Sequence, residues 1–323
     1  MLCCLDINDL EVQYPDSKYG EFAVHGVCLR LEPGRILSVI GESGCGKTTL
    51  LKAILQMLPA GTKVKGRVQL DAFSLLDSSD REMNRIRGSL IAMIYQDPQR
   101  CLDPTMRVGR QITEVVKLHM HSGETEATNR ERTLQLLKDV GFPEPKKIAR
   151  RYPHQLSGGQ CQRVMIAIAL AGNPAILLAD EPTSSLDVIS QKQINGLLYR
   201  LNQEKRIGIL FISHDISMAR QMADDVVVMY LGQVVESGPA KGVLSNPLHP
   251  YTRDLIHAIP SVNDSIGEPI FELDWKTDKK IDNVNCPYAH ECRYVNLGCG
   301  HRQQNEDWSM KSHWCACSAQ IID

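Results

Sequence analysis

The feature that most constrains this chain is an eight-residue run, Gly41-Glu42-Ser43-Gly44-Cys45-Gly46-Lys47-Thr48, set between an apolar stretch and a helical one. The preceding Ile36-Leu37-Ser38-Val39-Ile40 is a buried-type strand, and Thr48 to Met57 reads as a helix that Pro59 and Gly61 stop. Strand, loop and helix in that order open an α/β sheet with its loop at the carboxyl end of a strand. The run fits G-x-x-x-x-G-K-[ST], a phosphate-binding loop. Its glycines let backbone N–H groups approach phosphates, Lys47 offers charge to the β- and γ-phosphates, and the Thr48 hydroxyl can ligate Mg²⁺. A plain glycine turn before a helix is the competing reading, and the flanking elements count against it.

Two further buried-type strands deliver polar residues at their carboxyl ends. Ala175 to Ala179 ends at Asp180, and Ile207 to Ile212 ends at Ser213-His214. Asp180 is placed to hold Mg²⁺ through water. Successive residues leaving a strand point differently, so Glu181 can face a γ-phosphate and polarise an attacking water. Standing alone, two acids at a strand end would be solvated surface groups, and His214 an ordinary surface histidine. Beside the phosphate loop, His214 can sense or hold the γ-phosphate. Gln96, in Tyr95-Gln96-Asp97-Pro98, can reach Mg²⁺ or water while its backbone hinges the helical region beyond it. Tyr14 is the candidate to stack on an adenine ring, with Tyr19 and Phe22 as rivals and a core aromatic as the alternative.

Between about 97 and 170 the pattern turns helical, punctuated by Pro98, Pro104, Pro143, Pro145 and Pro153, which predicts a helical subdomain inserted in the sheet domain. Within it, Leu156-Ser157-Gly158-Gly159-Gln160 opens a helix whose N–H groups can hold a phosphate. The chain already has one phosphate loop, so this second cradle points to a nucleotide bound by another subunit. Gln233 to Gly238 reads as a strand closing the sheet, after which Pro239, Pro247, Pro250, Pro260 and Pro269 loosen the pattern and an extension begins near 240.

With 323 residues the chain can bury a large core, as one large domain plus an appendage or as two modest domains. A formal charge of −2 gives no long-range field for nucleic acid or an anionic membrane surface. Nothing reaches the roughly 18 apolar residues that cross a bilayer; Val164 to Ala171 reads as a buried helix. The start, Met1 to Asp6, lacks a basic segment followed by an apolar run, so a cytosolic address is expected. Cys286, Cys292, Cys299, Cys315 and Cys317 crowd the tail, and in a reducing compartment such crowding favours metal over disulfide.

Taken together, Gly41 to Thr48, Gln96, Leu156 to Gln160, Ile176 to Glu181, Ser185-Leu186-Asp187 and His214 resemble the nucleotide-binding subunits of ABC transporters in order and spacing, over about 240 residues. The resemblance implies an α/β P-loop NTPase fold of the ABC type, with a mixed sheet core and a helical subdomain in residues 1–240 and a small cysteine-rich extension in 241–323. It implies a head-to-tail dimer, with ATP between Gly41, Ser43, Gly44, Cys45, Gly46, Lys47, Thr48 and Thr49 of one subunit and Ser157, Gly158, Gly159 and Gln160 of the other. Glu181 would be the general base, His214 the switch histidine, Thr48, Gln96 and Asp180 the Mg²⁺ site, and Ser185 to Asp187 the loop that signals between sites. Cys45 occupies a variable position, and its thiol reads as inert filler.

His249-Pro250-Tyr251-Thr252-Arg253-Asp254-Leu255 with Ala258-Ile259-Pro260 looks like the extension of importer ATPases for dipeptides, oligopeptides and nickel. Gln96-Asp97-Pro98 with Leu102-Asp103-Pro104 resembles the same branch. That likeness implies an ATPase energising import, paired with a similar but distinct ATPase on two permeases fed by an external binding protein, peripheral on the cytoplasmic face of the inner membrane. A soluble ABC ATPase uncoupled from transport is the alternative; such proteins usually carry a coiled-coil insert or tandem nucleotide domains, and this chain shows neither. An exporter and a dedicated iron–sulfur sensor are further rivals.

Five residues separate Cys286 from Cys292, six Cys292 from Cys299, and seventeen Cys299 from Cys317. The peptide-importer family has such a terminal pattern, its last cysteine four positions after a histidine, as in His313 to Cys317. Cys315 is a competing fourth ligand. Four thiolates suit a [4Fe-4S] cluster or structural zinc, and the C-x₂-C knuckles typical of zinc are missing.

Overall fold

The computed structural model describes residues 3–17, 21–119, 125–258, 286–295, 299, 310 and 312–317. Strands β1 (Leu5–Gln13) and β2 (Val24–Leu31) lead into β3 (Ile36–Ile40), the glycine-rich loop and helix α1 (Lys47–Ile54). After β4 (Lys63–Leu70), β5 (Phe73–Ser74), α2 (Asp80–Ile86) and β6 (Ile91–Ile94) comes a helical stretch: α3 (Pro98–Cys101), α4 (Val108–His119), α5 (Glu126–Asp139), α6 (Pro145–Ile148) and α7 (Gly158–Ala169). Next in the chain are β7 (Ile176–Asp180), α8 (Val188–Lys205), β8 (Gly208–Ser213), α9 (Ile216–Met222), β9 (Asp225–Tyr230) and β10 (Gln233–Pro239). In the extension lie α10 (Ala240–Ser245), α11 (Pro250–His257) and β11 (Trp314–Cys315).

The described strands form a seven-stranded sheet of order β11-β10-β9-β3-β8-β7-β6 and a four-stranded antiparallel sheet of order β2-β1-β4-β5. From β9 to β6 the strands run parallel, whereas β10 and β11 join antiparallel, so the large sheet is mixed. Every residue of β3 is buried. Ile36 and Ile40 face a core shared with the helical stretch, and Leu37 and Val39 face one shared with α1 and the antiparallel sheet. Cover on both faces is why this strand reads as an apolar run broken only by the small Ser38.

Three features differ from the sequence expectation. The first helix ends at Ile54 rather than Met57, because Gln56 turns to a φ of 50° and its amide donates to the Leu76 and Ser78 carbonyls. Strand β10 does not close the sheet: β11 pairs outside it, Glu236 opposite Cys315 and Ser237 opposite Trp314. The antiparallel sheet has no counterpart in the sequence reading, since β1 carries two register shifts and Asp9 at φ 50°, which break its alternation.

Candidate functional site

The phosphate loop leaves β3 at the end where parallel strands present ligands. Two glycines set its path. Gly41 lies at φ 151° with its α-carbon against the Met229 carbonyl, and Gly46 lies at φ 100° against the Ala23 carbonyl; a Cβ at either would strike those oxygens. Gly46 is also the N-cap of α1 and brings no side chain to the helix's first amides. Lys47 is buried, and its Nζ donates to the carbonyls of Gly41 and Glu42, each at 2.7 Å, with the Cys45 Sγ at 3.7 Å. Burial pushes the Cys45 thiol up, against the pull of Lys47, as suits an unreactive thiol.

Asp180 and Glu181 diverge as they leave β7. The Thr48 hydroxyl donates to Asp180 Oδ1 at 3.0 Å. Burial raises the Asp180 carboxyl, and that hydrogen bond opposes the rise. Glu181 turns the other way, at φ 43°, a left-handed conformation unusual for a residue with a side chain. Its Oε2 accepts from Gln96 Nε2 at 3.0 Å and lies 3.4 Å from His214 Nδ1. Three sequence-predicted side chains from the ends of β6, β7 and β8 therefore meet at one carboxylate oxygen. Ser184 joins them unanticipated: it accepts from Gln96 Nε2 at 3.3 Å and donates to the Glu181 carbonyl at 3.2 Å. It lies one position before the Ser185 to Asp187 run, and no motif distinguishes it.

The Tyr14 hydroxyl lies 3.1 Å from the Thr49 hydroxyl, and Tyr14 lines an open cleft with Phe22, His25, Gly44 and Leu231. Phe22 thus shares the cleft with Tyr14; Tyr19 lies outside the described residues.

Ser157 is the N-cap of α7 in a reciprocal box: the Gln160 N–H donates to Ser157 Oγ at 3.3 Å, and the Ser157 N–H to Gln160 Oε1 at 3.2 Å. Gly158 faces Leu186, just before α8, and Gly159 faces Ser190 in its first turn. Asp187 caps α8, accepting from the Ile189 and Ser190 N–H groups at 3.1 and 2.9 Å and the Ser190 hydroxyl at 2.7 Å, and these bonds hold its carboxyl below the usual range. The structure thus joins the Ser157 run to the Asp187 turn within one chain.

In the extension, Cys286, Cys292, Cys299 and Cys317 line one small pocket with His249, Tyr288 and Tyr294. Cys315 stands on β11 opposite Glu236, and its Sγ accepts from the Cys317 N–H at 3.4 Å. Burial pushes the Cys286 thiol up and the Cys292 thiol up to about 11. Among the described residues no three His, Cys, Asp or Glu side chains stand close enough to hold a metal ion. The four thiols share a pocket without forming a closed ligand set, although the donor chemistry suits a thiolate-bound group.

Comparison with known proteins gives two family matches: ABC transporter over residues 24–184, and oligopeptide/dipeptide transporter, C-terminal region, over residues 235–299. The chain is 38% identical over 303 residues to the dipeptide transport ATP-binding protein DppD of Haemophilus influenzae, covering 91% of each chain. It is 40% identical over 268 residues to the oligopeptide transport ATP-binding protein OppD of Bacillus subtilis, covering 82% of this chain and 74% of that one. It is 41% identical to the peptide transport system ATP-binding protein SapD of Salmonella typhimurium, covering 81% of each. Among solved structures, the dimeric post-hydrolysis state of the ATP-binding cassette MJ0796 bound to ADP and Pi superposes with a TM-score of 0.66 at 30% identity, covering 74% of this chain and 99% of that one.

Proposed function

The chain belongs to the ABC transporter family, in the branch with the oligopeptide/dipeptide C-terminal region, and on that premise we propose that it is the ATP-hydrolysing subunit energising an importer of peptides or nickel. Residues 1–240 form the nucleotide-binding unit in this reading, and 241–323 the importer-type extension. The observation that carries it is the convergence of Gln96 and His214 on Glu181 Oε2, beside a phosphate loop that buries Lys47. The match over 235–299 favours transport over a soluble ATPase.

Lys47, the first amides of α1 and Thr48 bind the phosphates, and Tyr14 stacks on the adenine. Thr48, Asp180 and Gln96 would hold Mg²⁺, which when bound neutralises charge on the β- and γ-phosphates. Glu181 Oε2 accepts the proton of the attacking water, while Gln96 and His214 orient that carboxylate and sense the phosphate. Ser157, Gly158, Gly159 and Gln160 serve the ATP held by a partner ATPase, and Asp187, capping α8 beside Gly159, connects the two sites. A similar but distinct ATPase as partner, two permeases, an extracytoplasmic binding protein and a place on the cytoplasmic face of the inner membrane complete the reading. No described helix is long and apolar enough to cross a membrane. Glu181→Gln should retain ATP binding and lower ATP turnover about a hundredfold or more. Full turnover in the purified dimer would remove Glu181 as the base.

We read Cys286, Cys292, Cys299 and Cys317 as holding a [4Fe-4S] cluster, with zinc as the competing occupant; their shared pocket supports this ligand set, and Cys315 stands outside it. When bound, such a group supplies a cross-link between distant parts of the tail. Anaerobically purified protein should carry iron and sulfide, lost in Cys286→Ser and Cys317→Ser and retained in Cys315→Ser. Iron-free wild type under those conditions would exclude the cluster, and stoichiometric zinc would replace it.

A further inference from the structure

The His249-Pro250-Tyr251 sequence opens α11, with the Tyr251 N–H donating to His249 Nδ1 at 3.1 Å. Tyr251 is buried, its ring packed on Tyr230 and Tyr288 at centroid distances of 4.6 and 5.4 Å. Its hydroxyl reaches out of the extension into the phosphate loop and accepts the Glu42 N–H at 3.0 Å. That N–H belongs to the peptide unit whose carbonyl is Gly41 O, the acceptor of Lys47 Nζ at 2.7 Å. A single planar peptide is therefore gripped on its N–H side by Tyr251 and on its C=O side by Lys47. Because the unit is rigid, fixing the N–H direction fixes the carbonyl direction. Gly41, at φ 151°, has no side chain to choose the orientation for itself.

We propose that Tyr251 is a positioning residue of the phosphate loop: its hydroxyl sets the Gly41–Glu42 peptide, and through that carbonyl it aims the Lys47 ammonium. The inference rests on the reading of Lys47 as the phosphate ligand. An ammonium has three donors; here two go to the Gly41 and Glu42 carbonyls, and the remaining contact is the Cys45 sulfur at 3.7 Å, a weak acceptor that a phosphate oxygen displaces. Lys47 can thus keep its aim while it takes the phosphate. The extension acts in this way on the nucleotide site of its own chain, separately from any metal in the tail.

The test is Tyr251→Phe in the full-length protein, which keeps the packed ring and deletes only the hydroxyl. Glu42 amide exchange should accelerate. Affinity for MgATP and MgADP should fall roughly three- to tenfold, the scale of one neutral hydrogen bond. Affinity for AMP should stay unchanged, because the phosphates assigned to Lys47 in the proposed function are the β and γ, which AMP lacks. In a Lys47→Ala background the same change should cost nothing further. Unchanged ATP affinity in Tyr251→Phe, or an equal loss for AMP, overturns the proposal, the latter marking a general structural defect. If Lys47→Ala alone leaves ATP affinity intact, the phosphate-ligand reading fails instead, whatever Tyr251→Phe does.

Discussion

Gln96 gives hydrogen bonds from one nitrogen to the Glu181 carboxylate at 3.0 Å and the Ser184 hydroxyl at 3.3 Å. A hydrogen bond to a charged group is worth about 1.5–3 kcal/mol, or roughly a tenfold effect or more. Gln96→Ala should lower ATP turnover by at least about tenfold while shifting the ATP dissociation constant less, as steady-state rates and nucleotide titration would show. Undiminished turnover would mean that His214 and the backbone hold Glu181 without help. The placement of Lys47, Thr48, Asp180, Glu181 and His214 was legible in the sequence because each follows or ends an apolar strand or sits in a fixed-spacing loop. Ser184 and Tyr251 were not. Tyr251 touches the loop from 209 positions away, and nothing in a linear pattern marks such a contact. The left-handed turn at Glu181 was equally silent, since glutamate has no preference that announces it.

At the start of α7, the proposed function gives one side chain a second duty beside its capping of the helix. Ser157 caps its own helix through Oγ and remains exposed. Losing such a cap costs about 0.5–2 kcal/mol, so Ser157→Ala should lower the melting temperature and also weaken ATP-driven dimerisation in a Glu181→Gln background. Ser157→Asp separates the duties: aspartate caps well, so the melting temperature should recover, whereas its charge opposes a partner's phosphate and dimerisation should stay lost. Recovery of dimerisation in Ser157→Asp would deny this run a role at phosphate. The buried strands β3, β7 and β8 were readable to within a residue or two, because cover on both faces writes a nearly continuous apolar run. The antiparallel sheet escaped notice because β1 and β4 leave one face to solvent and bend at bulges.

Across the whole molecule, the extension is stitched to the large sheet rather than trailing from it. Glu236 on β10 is fully buried; its carboxylate accepts the Leu248 and His249 N–H groups at 2.8 and 2.9 Å and meets His313 Nε2 at 2.6 Å. The Tyr288 hydroxyl donates to Asp254 at 2.6 Å, and the Tyr230 hydroxyl to Glu291 at 2.8 Å. Composition alone marks a change of texture near 240, but a proline-rich tail gives no sign of which sheet edge it returns to. That return sets an order of events during synthesis. His313 reaches Glu236 across 77 residues of chain, which a ribosome adds in on the order of ten seconds. Throughout that interval the outer edge of β10 at Glu236 and Ser237 lacks its β11 partner, and the Glu236 carboxylate has the Leu248 and His249 N–H groups but not His313, which leaves that edge open to pairing with a neighbouring nascent chain. The β11 segment therefore acts as a closing seal, and a chain truncated before His313 would retain its glycine-rich loop yet expose an adhesive edge.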